Sequence, residues 1–543
     1  MFKNNVKLIF YKFTYIIAMN KRTKFPIGIQ SFEQIRTEDY LYVDKTEHIY
    51  NLVNEGKVYF LSRPRRFGKS LLVSTLRALF QGNKELFSDL WIDRESDFEW
   101  KEHPVVVLDF NGIPHSTPDE MKMALIYTIE EYAEKNGIKL KSPLLAIKLK
   151  ELILNLKEKT GQNVVVLVDE YDKPIIDFLG QGKEKLKYGI ENREILRSFY
   201  GVLKEAEVAP ALRFLLITGV SKFSKVSIFS ELNNLYDLTM QEEASDLLGY
   251  TQEELRCCFE NEICELAKKH NISDDETIEK LSNWYNGYRF SEKDVRVYNP
   301  FSILQVFRSL SFKNYWFESG SPRFLINLIR EKEFSPTRME NIEVAEESFL
   351  TFEIESLKLE ALLFQTGYLT INNISEGLFT LGYPNREVRN SLSRHLFAAF
   401  SEIDDSTERS KFLLLSKRLK ENRYEDFFNV VKALYASIPH TLNSKRDEAY
   451  FHSIFYLMVS AAGIDSEIEV LTSKSRIDLV IKFKCLLYII EFKCNQSAKS
   501  GIIQIKERKY YEKYLSSSKE IFLMGINFST DKKNVVEWEI EKL

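Results

Sequence analysis

The sequence predicts an α/β protein: a parallel sheet in the first half, a mainly helical middle region, and a separate small α/β domain at the C-terminal end. Three observations lead there. Short unbroken aliphatic runs alternate with longer helical stretches over residues 20–240, as in a parallel sheet covered on both faces. From about 241 to 440 the chain is aromatic, poor in glycine and helical in pattern. After that comes a compact order of helix, strand, strand, strand, helix and strand, in about a hundred residues, enough for one domain.

The elements follow in order. Strands are expected at Val58–Ser62, Val105–Phe110, Val164–Asp169 and Arg213–Thr218, with helices near 69–80, 119–136, 143–159 and 191–206. In the middle, LLFQTGYLTI (362–371) with LGYPNREV (381–388) reads as a helix followed by a hairpin, a winged-helix-like element. The last domain is read as a helix over 447–462, strands near 467–472, 476–483 and 486–492, a helix from about 498 to 515, and a strand at 520–526. Pro439 and the polar run TLNSKRDE mark the boundary before it. The expected division is therefore a leader (1–23), an α/β domain (24–240), a helical lid and linker (241–440) and a C-terminal α/β domain (441–543).

Composition narrows the classes. The chain has 543 residues, 44% hydrophobic and 28% charged, with a net charge of −4, so it is no polycation and any polyanion must meet a local patch. Its five cysteines (Cys257, Cys258, Cys264, Cys485, Cys494) lack zinc-site spacing and fit reduced thiols of the cytoplasm. The leader MFKNNVKLIFYKFTYIIAM is interrupted by Lys7 and Lys12, has no cleavage site, and is too short and charged to span a bilayer; it reads as an over-extended start ahead of Met19 or as a frayed or surface-bound leader. No membrane partner is expected.

Two motifs carry chemistry. In Y59-F-L-S-R-P-R-R-F-G-K-S-L-L72 a strand turns into a helix through Gly68-Lys69-Ser70, the end of a Walker A motif. Gly68 lets the backbone approach phosphate, Lys69 reaches the β- and γ-phosphates, and Ser70 places its hydroxyl on Mg²⁺. Arg63 stands where the motif's first glycine belongs, and Pro64, Arg65 and Arg66 fill the loop with cations that would face a polyanion. By itself this could be a helix start beside a basic surface. The run V164-V-V-L-V-D-E-Y-D172 adds a Walker B strand: Asp169 as a Mg²⁺ ligand and Glu170 to orient or deprotonate water. A third strand ends in Thr218-Gly219-Val220-Ser221, where Ser221 could sense the γ-phosphate. Together they predict a P-loop NTPase sheet binding ATP with Mg²⁺.

The second motif is Arg476-Ile-Asp478 in one strand and Glu491-Phe-Lys493 in the next. Residues i and i+2 of a strand share a face, so Glu491 and Lys493 project together and a hairpin can bring Asp478 beside them. Two carboxylates can hold a hard cation, and a lysine can position or activate its water, as phosphodiester cleavage requires. An exposed cross-strand ion pair would give the same letters, but these strands are otherwise aliphatic, and burying such groups is costly unless they share a site. QIKERKYYEKY (504–514) adds basic and aromatic residues able to track a nucleic-acid backbone.

The runs YVDKT (42–46), SRPRRFGKS (62–70), LVDEYDKPI (167–175) and TGVSKFSKVSIFSELNNLYDLT (218–239) resemble the prokaryotic AAA-ATPase-like family that carries a C-terminal PD-(D/E)XK domain, over about 24–530. The resemblance makes the Arg-Pro-Arg-Arg loop that family's own Walker A and offers Arg65 and Arg66 as the arginines completing the site. It implies a restriction-endonuclease-like fold for the last domain, with Glu448 added to the Mg²⁺ ligands Asp478 and Glu491, and nucleic acid, DNA before RNA, as partner. Ser475 replaces the family's usual glycine, and YVDKT reads as a packed strand–helix junction. His452, one turn after Glu448, reads as a structural hydrogen-bonding residue. The expected function is an ATP-driven, Mg²⁺-dependent nuclease, with oligomerisation open. The alternative is a nucleotide-switched signalling or scaffold protein whose last domain binds without cutting.

Overall fold

A computed structural model describes residues 23–222, 232, 234–319, 323–331, 336–349, 358–401, 405–438, 448–471 and 476–543. The leader up to residue 22, part of the 218–239 run, the boundary at Pro439 with most of the polar run after it, and Ser475 lie outside them. The chain divides into two compact units, Met1–Leu325 with Asn341–Asn385, and Ile326–Glu340 with Arg386–Leu543; residues 241–440 are shared between the two. Among the described residues no helix is long and apolar enough to cross a membrane.

The first unit opens with α1 (Phe32–Thr37) and α2 (Thr46–Glu55) and builds its sheet from β1 (Val58–Ser62), β2 (Val105–Asp109), β3 (Val164–Asp169), β4 (Leu212–Gly219) and the short β5 (Tyr236–Asp237). The spatial order is β2-β3-β4-β1-β5, all parallel. Every residue of β3 is buried, as a strand covered on both faces requires. In space, the strand between β1 and β3 is β4; β2, which intervenes in sequence, lies at the edge.

Helices α3 (Lys69–Phe80), α4 (Trp91–Glu95), α5 (Pro118–Lys135), α6 (Leu145–Thr160) and α7 (Lys183–Gly201) connect the strands. Thr117 caps α5 ahead of a proline and two acids, and Gly161, left-handed at φ 68°, ends α6. Helix α7 starts and stops earlier than the 191–206 reading and passes at Val202 into a 3₁₀ turn. YVDKT is a junction: Asp44 accepts from the Thr46 amide (2.9 Å) and hydroxyl (2.7 Å), opening α2, and from the Trp91 amide (2.7 Å), opening α4.

Helices α8 (Gln252–Cys258), α9 (Glu260–His270), α10 (Asp274–Tyr285) and α11 (Pro300–Ser309) gather an aromatic core that includes Phe259, Tyr285, Tyr298 and Phe307. Capping boxes at Thr251/Glu254 and Ser273/Glu276 start two of them. After β6 (Ile342–Ala345), a helix α12 (Leu359–Gln365) leads into a hairpin of β7 (Thr370–Ser375) and β8 (Leu378–Gly382), and β6 pairs with β8.

The second unit has α13 (Arg386–Ser401), α14 (Asp405–Lys420), α15 (Tyr424–Ala436) and α16 (Glu448–Ala461), then β9 (Asp465–Leu471), β10 (Arg476–Lys482), β11 (Leu486–Cys494), α17 (Ala498–Arg508), β12 (Glu520–Ser529) and β13 (Asn534–Lys542). The sheet runs β9-β10-β11-β12-β13; the β11–β12 pair is parallel and the rest antiparallel. Lys509, left-handed at φ 53°, stops α17 short of the 515 expected, and Tyr510–Tyr514 continue as a 3₁₀ turn. The edge strand β13 adds to the strands read from sequence; its glutamates alternate with inward groups, and Trp538 stacks on Phe428 at 4.4 Å.

Candidate functional site

At the C-terminal end of β1 the chain enters the loop 63–68. Arg63 does not face outward. It is 1% exposed, and its guanidinium donates to the carbonyls of Ser62 (2.9 Å), Thr239 (2.9 Å) and Ala244 (2.7 Å) while lying 4.3 Å from the Phe290 ring centroid. Burial lowers its pKa to about 9. The residue replacing the glycine is thus a bolt that ties the loop to residues 239–244. Arg65 and Arg66 are exposed; Arg66 is left-handed at φ 70° and lies over Phe301.

Gly68 caps α3 at φ 98°, a conformation natural to glycine. It turns the first amides of α3, which lack intrahelical acceptors, toward the loop. The buried Lys69 ammonium donates to the carbonyls of Arg63 (2.9 Å) and Pro64 (3.1 Å), and Ser70 beside it is half-buried. Burial lowers the Lys69 pKa against the opposing pull of Glu170, Asp169 and Asp172. These four groups share one field, and the Arg65 charge reaches into it.

Asp169 is buried and accepts from the Thr218 hydroxyl of the neighbouring β4 (2.7 Å). Glu170 follows in a left-handed conformation (φ 52°), and burial raises its carboxyl pKa while the Lys69 charge opposes. Asp172, which the sequence reading left without a role, is 1% exposed and organises the turn after β4. It accepts from the Val220 amide (3.1 Å), the Ser221 amide (2.6 Å) and the Ser221 hydroxyl (2.6 Å). The Ser221 side chain is therefore held by Asp172. Gly219 is required here, because a Cβ would lie 2.6 Å from both Asp172 Oδ1 and the Tyr171 ring.

A turn distant in sequence closes this region. Gln365 accepts from the Lys222 amide (2.8 Å), and Trp316 Nε1 donates to the Arg65 carbonyl (3.1 Å). Gly367 (φ 85°) seats on Pro64, where a Cβ would meet the proline ring at 2.7 Å. The 365–367 turn touches both the loop after β1 and the loop after β4.

In the second unit, β10 and β11 pair with Leu479 opposite Ile490, so the register places Asp478 across from Glu491. At that point the Asp478 carboxylate, not a backbone carbonyl, receives the Phe492 amide (2.9 Å). Glu491 is 3% exposed. Its Oε1 accepts from Lys493 Nζ (3.1 Å) and from Gln504 Nε2, and Lys493 also donates to Gln504 Oε1 (2.8 Å). Its Oε2 is buried with no hydrogen-bond partner among the described residues.

Burial, followed by the charge of Asp478, pushes the Glu491 carboxyl up to about 7 against Lys493. Burial also raises Asp478, opposed by the Phe492 amide and Lys493. Two glycines let α17 come close enough to deliver Gln504: a Cβ on Gly525 would lie 2.0 Å from the Ala498 carbonyl, and one on Gly501 3.1 Å from that of Glu491.

Glu448, in the first turn of α16, is exposed; its charge acts on Glu491, but among the described residues no cluster of three or more His, Cys, Asp or Glu groups forms. His452 packs on the Phe492 ring at 4.7 Å, and burial lowers its pKa to about 4, leaving it neutral near pH 7.

Comparison with known proteins decides the family. Residues 26–229 match the family described as "Predicted AAA-ATPase", and residues 446–538 match the PD-(D/E)XK nuclease superfamily. The chain is 37% identical over 535 residues, 96% of its length and 99% of the relative's, to the "Uncharacterized protein in vnfD 5'region" of Azotobacter chroococcum. The chain belongs to the AAA-ATPase-like family with a C-terminal PD-(D/E)XK domain. Among solved structures, the Aeropyrum pernix ORC1 protein in complex with DNA aligns over 66% of this chain and 95% of its own, at 11% identity and a TM-score of 0.24, too low to carry an argument.

In this AAA-ATPase-like chain both sites suit the groups that the two families use. A buried ammonium that donates to loop carbonyls, beside a left-handed glycine and two carboxylates, suits a magnesium nucleotide, which Lys69, Ser70 and Asp169 would hold. In the PD-(D/E)XK domain, the unpartnered Glu491 Oε2 and the facing Asp478 are hard oxygen donors suited to a divalent cation.

Proposed function

We propose that this protein binds and hydrolyses ATP and cleaves phosphodiester bonds of nucleic acid, DNA in preference to RNA, and that nucleotide state controls cleavage. The observation that carries the nuclease reading is Glu491. A carboxylate buried in an aliphatic sheet, with one oxygen on Lys493 and the other unpartnered, is costly unless it holds a cation. Mg²⁺ bound there supplies an acidified water and stabilises charge developing on the phosphate. Asp478 and Glu491 hold the cation, while Lys493, fixed by Gln504, positions the attacking water. Lys493 is also suited to balancing charge on the non-bridging phosphate oxygens.

In the first unit, Lys69 binds the β- and γ-phosphates, Asp169 and Ser70 turn toward the metal, and Glu170 orients the water or accepts its proton. A raised carboxyl pKa suits Glu170 for accepting that proton. Arg65 adds positive charge at the same loop. Control of cleavage by nucleotide rests on chain continuity: the first unit ends at Asn385 and the second resumes at Arg386. We place the protein in the cytoplasm, in keeping with five free cysteines.

The test is ATP binding, ATP hydrolysis and DNA cleavage in parallel. Lys69→Ala loses ATP binding; Glu170→Gln keeps binding while hydrolysis falls about 10²–10⁴-fold, the usual worth of a general base. Cleavage that is the same in Lys69→Ala as in the wild type, with and without ATP, rules out nucleotide control.

A further inference from the structure

The β10–β11 hairpin has a second feature at its other end. A cleft of about 630 Å³ opens around the turn Phe483-Lys484-Cys485. Five cations line it, Arg386, Lys420, Lys482, Lys484 and Lys519, against a single acid, Asp465. That acid is engaged: it accepts from Arg389 at 3.4 Å. The cleft therefore carries a formal charge of about +4, five minus one, in a chain whose net charge is −4.

The cations are placed, not scattered. Arg386 is held by a bond to the Gly463 carbonyl (2.5 Å). Lys420 Nζ lies 5.4 Å from the centroid of the half-buried Phe483 ring. Lys482 pairs with Glu467, whereas Lys484 and Lys519 form no ion pair among the described residues.

We propose that this cleft is a second contact for the nucleic-acid strand, gripping its phosphates away from the point of cleavage. The cleft is much larger than one phosphate group and its charge is spread over four segments of chain, as an extended polyanion requires. The Phe483 ring offers a face on which a base can stack, which an acidic peptide would leave unused. Four strand steps run from Asp478 to Lys482 at the end of β10, about 13 Å at roughly 3.3 Å per strand residue. That distance corresponds to about four nucleotides at the duplex spacing of about 3.4 Å. The inference rests on the nucleic-acid reading of the Asp478–Glu491–Lys493 site, so binding is measured apart from cleavage.

The experiment uses the full-length protein in EDTA, with fluorescein-labelled DNA of about 30 nucleotides, single-stranded and duplex, read by anisotropy between about 50 and 200 mM salt. The variant Lys484→Glu/Lys519→Glu is expected to bind at least about tenfold more weakly. The slope of log affinity against log salt should fall by about 1.4 for the single strand and about 1.8 for the duplex, as it does when two phosphates are no longer neutralised. The neutral pair Lys484→Gln/Lys519→Gln should fall between variant and wild type. Unchanged affinity and slope in the charge-reversed variant overturn the proposal, as does polyglutamate competing as well as DNA at equal charge. If the variant loses binding while the wild type never cleaves, the cleft stands and the nuclease reading falls. If the wild type cleaves and the variant binds normally, the reverse holds.

Discussion

Replacing Glu491 by glutamine separates a catalytic carboxylate from a structural one. In the folded protein its pKa rises from 4.5 to about 7, chiefly through burial. The folded state therefore holds the proton more tightly than the unfolded chain. The stability this confers is complete below about pH 4.5 and is lost as pH climbs toward 7. The rise from 4.5 to about 7 corresponds to a ceiling of about 3 kcal/mol. The glutamine amide, which finds no partner where Oε2 sits, returns about 1–2 kcal/mol of that. The net gain for Glu491→Gln at pH 8 in EDTA is thus about 1–2 kcal/mol, whereas at pH 4.5 the amide cost is left almost alone and the variant is about 1 kcal/mol less stable than the wild type. Hydrogen exchange of peptides from β11 reads this directly: about tenfold slower exchange than wild type at pH 8, and exchange several-fold faster than wild type at pH 4.5. Millimolar Mg²⁺ should slow exchange in the wild type and leave Glu491→Gln unchanged. A variant that exchanges faster than wild type at pH 8, or responds equally to Mg²⁺, would refute the argument.

Gly525→Ala forces a Cβ to 2.0 Å from the Ala498 carbonyl, so α17 must shift and carry Gln504 away from Glu491. A stability loss of about 1–3 kcal/mol, typical of overpacking, is expected by thermal unfolding, with cleavage lost even where the fold survives. Asp172→Asn replaces an acceptor of three donors by a group that is half donor. The turn after β4 should loosen by about 1–3 kcal/mol, and ATP hydrolysis should fall more than ATP binding; equal loss of both would place the effect elsewhere. Gly367→Ala drives a Cβ into Pro64 in a left-handed conformation, and calorimetry should show weaker ATP binding with the second unit's exchange pattern intact.

The parts of this molecule written in local pattern were legible in advance. The run 58–62 and the aliphatic run 164–169 are strands with those bounds because nearly every side chain is covered, which leaves no polar alternation. Asp478 and Glu491 meet because a hairpin with that spacing sets the register. What escaped depends on contacts between residues far apart in sequence. Arg63 stands out in sequence only as a missing glycine; the carbonyls of residues 239 and 244 that hold it are far along the chain. Gln365 lies 143 residues from the amide it receives, and no spacing rule joins them. Asp172 had a visible signal, a second aspartate after the Walker B acids, but its partners only appear once β4 lies beside β3. Strand β13 went unread because its glutamates leave only one face of that edge strand to meet the core.

Cleavage of end-labelled DNA by wild type, Asp478→Ala and Lys493→Ala, each in Mg²⁺ and in EDTA, addresses the central claim. Products are predicted only for the wild type with Mg²⁺, and both variants should lose activity while hydrolysing ATP normally. Equal cleavage by Asp478→Ala, or cleavage by the wild type undiminished in EDTA, would contradict it.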